Sequence, residues 1–203
     1  METRYQVTLR PKKLQDANEE VKAIFESTKA SLGMVPNMYG NMGNSTGLLA
    51  TYKFGYDHFR KNSGFSKAEQ EVIFLTISYE NGCEYCMAAH SMLADMISKV
   101  PVEVTNAIRE GNIIPEPKLK ALSDFTSVMV NKRGNPSETD VHIFLEAGYS
   151  ENHILEIILA IAVKTISNYS NHLFQTPLDA PFKMREWTVF KVARKAVQFF
   201  SRT

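Results

Sequence analysis

A chain of 203 residues with 44% hydrophobic and 22% charged side chains is long enough to bury a sizeable core, as one domain or two small ones. Its formal charge is only +1, and its Lys and Arg are scattered, which excludes the basic face that a nucleic acid or a membrane surface requires. The charged start METRYQVTLRPKKLQDANEE has no apolar signal-peptide core, no stretch approaches ~20 uninterrupted apolar residues, and the expected location is cytoplasmic.

Taken in chain order, Tyr5 to Leu9 hints at an extended segment. Everything after it reads as helix. Ala17, Val21, Ile24 and Phe25 recur at helical spacing, and Gly33 closes that first helix. Ser66 with Glu69 three residues later forms a capping box that opens the next well-marked helix, and Asn81-Gly82 ends it. A new helix is expected from about Cys83. Pro101 and Pro136 suit helix starts, while Gly111, Gly134 and Gly148 sit where helices should end. Leu119, Leu122, Phe125, Val128 and Met129 mark another amphipathic helix, and Arg109 to Pro117 is a candidate connection between two halves. The expected fold class is all-α.

Those halves, about residues 15–110 and 115–200 of a single domain, echo one another. Gly64-Phe65-Ser66 is matched by Gly148-Tyr149-Ser150, and each enters a long apolar helix. In the first half Glu71 is followed after eleven residues by Cys83, after two more by Cys86 and after three more by His90. The second half keeps that frame as Glu156, Asn168, Asn171 and Gln175. The spacing predicts a duplicated helical hairpin that is chemically active in one copy and polar but inert in the other. The apolar runs Ile154 to Ile166 and Val192 to Phe200 are candidates for subunit contacts or for core.

Cys83 and Cys86 are the chain's two cysteines. In a reducing compartment a C-x-x-C pair cycles or holds a metal rather than forming a permanent disulfide. On one straight helix Glu71 would lie ~18 Å from Cys83, so a bend at Gly82 is needed to return the carboxylate to the site. Cys83, Cys86 and His90 fall within a sector of ~60° and share a helix face. Cys83 sits at the helix start, where the dipole favours thiolate. Cys86 and His90 are i and i+4, so the imidazole can take the thiol proton. The expected roles are Cys86 as nucleophile, His90 as its base, Glu71 as orienter and stabiliser of the imidazolium, and Cys83 as resolving thiol. Zinc is the alternative, with Cys83, Cys86 and His90 as ligands and His58 or Glu71 completing four, in a helical interaction module. His58, His142, His153 and His172 show no ligand spacing and read as structural or solvated.

At these residues the chain resembles the carboxymuconolactone decarboxylase superfamily, in its alkyl hydroperoxidase D-like (AhpD-like) branch. The Glu-x11-Cys-x2-Cys-x3-His pattern carries the likeness, with Asn81-Gly82-Cys83 and Ala89-His90. Leu32-Gly33-Met34-Val35-Pro36-Asn37 is similar to the helix entry of the peroxidase-related members. The resemblance implies reduction of hydrogen peroxide or organic hydroperoxides by the cysteine pair, with Cys86 peroxidatic and Glu71 and His90 as proton relay. It also implies a dithiol reductant, such as a lipoyl-bearing or thioredoxin-like protein, and a homo-oligomer, a trimer or hexamer. Thiol–disulfide exchange on such a partner is the alternative activity. The decarboxylase branch lacks this cysteine pair. Tyr85 stands where the founding member has a His, and is expected on the substrate side. No haem, flavin or nicotinamide motif is present, and no cofactor is expected.

Overall fold

A computed structural model describes residues 4–186, and within them nine α-helices and no strand. They are α1 (Glu19–Leu32), α2 (Asn37–Met42), α3 (Thr46–Asn62), α4 (Lys67–Glu80), α5 (Glu84–Leu93), α6 (Val102–Glu110), α7 (Pro117–Asn131), α8 (Glu138–Glu146) and α9 (Glu151–Phe174). A wide turn at Ala94–Ser98 prolongs α5, and a short turn of helix at Ala180–Arg185 ends a C-terminal strap. The all-α expectation stands, but Tyr5 to Leu9 pairs with no strand. It is instead extended backbone held to α9 by the Val7 N–H on the Leu173 carbonyl at 3.1 Å. The run Val192 to Phe200 lies outside the described residues.

α4 is the axis of the molecule. Every residue from Gln70 to Ser78 is buried, because α5, α6, α7 and α9 pack around it. The predicted capping box opens this helix: the Ser66 N–H donates to Glu69 Oε2 at 2.8 Å, and the Glu69 N–H donates to Ser66 Oγ at 3.3 Å. The Arg109 to Pro117 connection does not separate two bodies, since α7, which follows it, packs against α4. The echoed entries Gly64-Phe65-Ser66 and Gly148-Tyr149-Ser150 each carry a left-handed glycine and a capping serine, and their Phe65 and Tyr149 rings meet at 5.9 Å.

Two apolar clusters fill the interior. One runs through α4, α6, α7 and α8, with Phe74, Leu122, Phe125 and Phe144 at its centre. The other joins α1, α2 and α3 to the start of α5 and to Val163 of α9, and both cysteines belong to it. α9 approaches α3 closely at Gly55, where an added Cβ would stand 2.8 Å from the Val163 side chain. Glycine at that position lets α9 reach the motif.

Candidate functional site

α4 ends at Glu80 and α5 begins at Glu84, as the Asn81-Gly82 pair predicts. Gly82 adopts φ 66°, a left-handed turn that turns the chain back as an α4–α5 hairpin. This hairpin places Glu71, twelve residues before Cys83, against His90. Glu71 Oε2 lies 2.8 Å from His90 Nδ1, Oε1 lies 2.6 Å from an Arg60 guanidinium nitrogen, and the Ser98 hydroxyl donates to Oε1 at 3.4 Å. The wide turn after α5 brings Ser98 in, a use of π-type backbone that recurs at functional sites.

Glu71 is buried at 1% exposure. Burial pushes its pKa up, but Arg60 and His90 outweigh that and hold it below the ordinary carboxylate range. An ionised Glu71 accepts, so His90 carries its proton on Nδ1 and keeps a lone pair on Nε2. His90 itself is pushed down to about 4 by burial and by the nearby Lys164 ammonium, against the opposing pull of Glu71. The imidazole is therefore neutral near pH 7. The expectation that Glu71 stabilises an imidazolium changes here, because a second positive charge stands beside the ring and Arg60 shares the carboxylate.

That arrangement makes the fold acid-sensitive in a defined window. The unfolded chain takes a proton on His90 near pH 6.5, while the folded chain resists until about 4. Below 6.5 the unfolded state binds more protons, so stability falls as pH falls between those values, by up to about 3 kcal/mol. Glu71, lowered in the folded state, adds loss of the same sign as it is finally protonated. Urea midpoints at neutral pH and near pH 4.5 check this, and equal midpoints contradict it.

The two cysteines are buried and reduced. Cys83 is the residue just before α5, not within its first turn, and its N–H is taken by the Ser78 carbonyl at 2.9 Å. The expected dipole effect is consequently overridden: burial, then its hydrogen bond to Cys86, pushes the Cys83 thiol up. Burial also raises Cys86, but the hydrogen bond from Cys83 and the Lys164 ammonium more than reverse it and bring that thiol well down. The surroundings thus favour a thiol on Cys83 and the ionised form of Cys86.

α9 completes the site. Asn171 Nδ2 donates to Cys86 Sγ at 3.4 Å and lies 3.9 Å from Cys83 Sγ, and Ser167 Oγ is 3.9 Å from Cys86 Sγ. Asn168 accepts from Asn81 at 2.9 Å beside the turn. Asn168 and Asn171, the second-half echo, therefore meet the motif they echo, while Glu156 is half-buried with one carboxylate oxygen lacking a protein partner. Lys164 and Ser167, like Arg60, Ser98 and Asp179, are residues that sequence reasoning missed. A lysine inside an apolar helix run was the available signal.

A cavity of about 410 Å³ opens beside the turn, lined by Arg4, Gly82, Cys83, Glu84, Tyr85, Asn171, His172, Gln175 and Thr176. Cys83 faces it and Cys86 lies behind. His172, expected to be structural or solvated, lines this cavity, and its Nε2 has no protein partner. Tyr85 lines it too, but its hydroxyl donates to Asp179 in the C-terminal strap, and Phe182 packs edge-on against its ring at 5.7 Å. Asp179 also accepts the Asn37 N–H at 3.2 Å, so the Leu32 to Asn37 segment and the motif tie the strap down together. Burial and Asp179 push the Tyr85 phenol up, so it stays protonated.

The other zinc ligands proposed from sequence do not converge. His58 is exposed on α3 and paired with Asn62 at 3.3 Å, Glu71 is held by Arg60 and His90, and among the described residues no three His, Cys, Asp or Glu side chains cluster for a metal. No described helix is long and apolar enough to cross a membrane.

The Carboxymuconolactone decarboxylase family model matches residues 48–114, a segment that contains Glu71, Cys83, Cys86 and His90. No curated protein matches the chain significantly in sequence. Among solved structures, the alkylhydroperoxidase AhpD core of a peroxidase-related protein from Ralstonia eutropha superposes with a TM-score of 0.78 at 20% identity, covering 89% of this chain and 96% of that one. A peroxidase-related protein from a Silicibacter species gives 0.73 at 20% identity, over 90% and 98% of the two chains. The debrominase Bmp8, as a Cys-to-Ala variant in complex with 2,3,4-tribromopyrrole, gives 0.72 at 17% identity, over 90% and 97%. The family match is thus confined to residues 48–114, and the helical fold of the chain is the one that these solved structures share.

Proposed function

We propose that this protein is a thiol peroxidase that reduces organic hydroperoxides through Cys86 and Cys83. The observation that carries the reading is the placement of the two sulfurs: Asn171 donates to Cys86 Sγ at 3.4 Å with Cys83 beside it, and these surroundings push the Cys86 thiol down and the Cys83 thiol up. Thiolate is the attacking species, and an adjacent protonated thiol is what resolution needs.

Cys86 attacks the terminal hydroperoxide oxygen, the O–O bond breaks, and the alkoxide leaves to take a proton. The resulting Cys86 sulfenic acid condenses with the Cys83 thiol, releasing water and leaving a disulfide. An external dithiol then attacks Cys83, the sulfur that faces the cavity, and returns Cys86 as the leaving thiolate. His90 and Glu71 fix the electrostatics beside Cys86 as a hydrogen-bonded pair. Asn171 orients the sulfur with its amide N–H. A cavity of about 410 Å³ favours an organic hydroperoxide over hydrogen peroxide alone.

Thiol–disulfide exchange with a protein or lipoyl partner is a second reading, favoured by the place of Cys83, and not Cys86, in the cavity lining. Stopped-flow loss of thiols on mixing with cumene hydroperoxide separates the two. A rate well above that of free cysteine supports the peroxidase, and a rate no faster leaves the exchange reading. The debrominase likeness adds one control, a brominated pyrrole in place of the hydroperoxide. Bromide release faster than hydroperoxide reduction would reassign the substrate.

A further inference from the structure

The side of α9 that faces away from the cysteines is as unusual as the side that faces them. From Leu155 to Leu173 the exposed residues of the helix are Leu155, Ile158, Ala162, Tyr169 and Leu173, each apolar or aromatic and none charged. They recur at i, i+3, i+7, i+14 and i+18, a single stripe along five turns. A stripe of this kind is ordinarily buried, yet Leu155 is 63% exposed.

α3 widens the stripe into a surface. The two helices run antiparallel: Gly64, just after α3, meets His153 near the start of α9, and Asn41, just before α3, donates to Thr176 past its end at 2.8 Å. Midway they touch at Gly55 and Val163. The residues one step earlier in each helix, Phe54 and Ala162, both turn outward, because a backward step of ~100° on two antiparallel right-handed helices leads to the same side. Phe54 is 75% exposed, and its ring stacks on His58 at 5.9 Å. The middle of the face therefore sets its largest protrusion beside its smallest side chain.

We propose that this α3/α9 face is a twofold interface between two copies of this chain, in which Phe54 of each copy seats over Ala162 of the other. A knob beside a hollow fits itself after a half-turn, as an isologous contact requires, and the two helix pairs then form a four-helix arrangement. The dimensions agree. The stripe is about 27 Å long at 1.5 Å per residue, and two helices ~10 Å across and 8–10 Å apart make the face about 18–20 Å wide. Pairing buries on the order of 1,000 Å² in total, the size at which a specific interface begins. The stripe offers no charge to select a partner of opposite sign, so shape and apolar area decide the occupant. The Phe54 ring is already held by His58, so it loses little freedom on docking. α9 thus serves two contacts: its inner face brings Asn171 to Cys86 at 3.4 Å, and its outer face meets the second copy. None of this depends on the peroxidase reading.

Sedimentation equilibrium of the full chain at micromolar concentration should give an even number of protomers. Phe54→Glu puts a charge at the centre of each face and should halve the mass, with the helical circular dichroism unchanged because the native ring is exposed. Phe54→Ala should weaken association by about thirtyfold or more, the loss typical of a truncated aromatic anchor. Ala162→Phe, which fills the hollow, should weaken it as well. Combining Phe54→Ala with Ala162→Phe exchanges knob and hollow and should restore association, which a merely sticky patch would not do. A monomeric native chain, an odd-numbered assembly, a Phe54→Glu protein of unchanged mass, or a double variant as weak as its parents overturns the proposal.

Discussion

Replacing Cys86 with Ser is expected to remove hydroperoxide turnover, by on the order of 10³-fold or more, while leaving the fold intact. Serine is close to isosteric, and the hydrogen bond from Asn171 at 3.4 Å can be made to oxygen as well as to sulfur. What disappears is the anion. A hydroxyl does not ionise near neutral pH even beside Lys164, and without a thiolate nothing attacks the O–O bond. Replacing Cys83 with Ser should have a different outcome. Cys86 would still attack, but its sulfenic acid would have no neighbouring thiol, and dimedone should trap it on Cys86. Dimedone labelling of Cys83 in the Cys86→Ser protein, with none on Cys86 in the Cys83→Ser protein, would reverse the two roles.

Glu71→Gln is expected to be the most damaging single change for stability. Its carboxylate is the anion between the Arg60 guanidinium at 2.6 Å and the His90 ring at 2.8 Å, and Ser98 adds a further bond. An amide of the same size can keep the Arg60 and Ser98 contacts on its oxygen but not the charge. Arg60 is fixed over the Tyr56 and Phe74 rings, at 5.0 and 4.7 Å, and cannot turn to water without abandoning them. Breaking a buried pair from one side typically costs about 3–5 kcal/mol, because the surviving charge stays buried without its partner. Lys164 adds to the imbalance, since it contributes a second cation to the same interior. Urea unfolding at neutral pH should show a loss in that range. A loss of less than about 1 kcal/mol would mean that Glu71 is screened or replaceable, and would contradict its role between Arg60 and His90.

Much of this architecture was legible in the sequence because short-range chemistry fixes it. Ser66 with Glu69, and Asn81 with Gly82, mark the two ends of α4 through hydrogen bonds and backbone angles that involve only neighbours. The Glu71 to His90 contact followed once the hairpin was accepted, since the spacing and the turn leave few alternatives. The contributions of α9 were less visible. Asn171 could be aligned with Cys86 by counting, but its donation to that sulfur depends on how α9 packs against α5. Lys164 offered only the oddity of a charge in an apolar run, and its value comes from a burial that no local pattern encodes.

The thiol chemistry shows the same division. Helix position suggested that the dipole would favour ionisation of Cys83, yet in the fold that residue is buried, its N–H is taken by Ser78, and it serves as donor to Cys86. A helix dipole end contributes about 0.3–1 kcal/mol at the surface and up to about 2 kcal/mol when partly buried, whereas burial of a charge without a partner costs more. Cys86 escapes that cost because the Cys83 thiol and, from α9, the Asn171 amide and the Lys164 charge converge on it. Tyr85 was placed on the substrate side, and it does line the cavity, but its hydroxyl is committed to Asp179 of a strap almost a hundred residues later in the chain.

The central claim is that the reduced Cys83/Cys86 pair passes two electrons to a hydroperoxide. Mixing reduced protein with less than one equivalent of cumene hydroperoxide, while following thiols and cumyl alcohol together, tests it most directly. The account predicts two thiols lost for each cumyl alcohol formed, faster than with free cysteine, and a Cys83–Cys86 disulfide in the product. Thiol loss no faster than free cysteine, or alcohol formed without that disulfide, would contradict it.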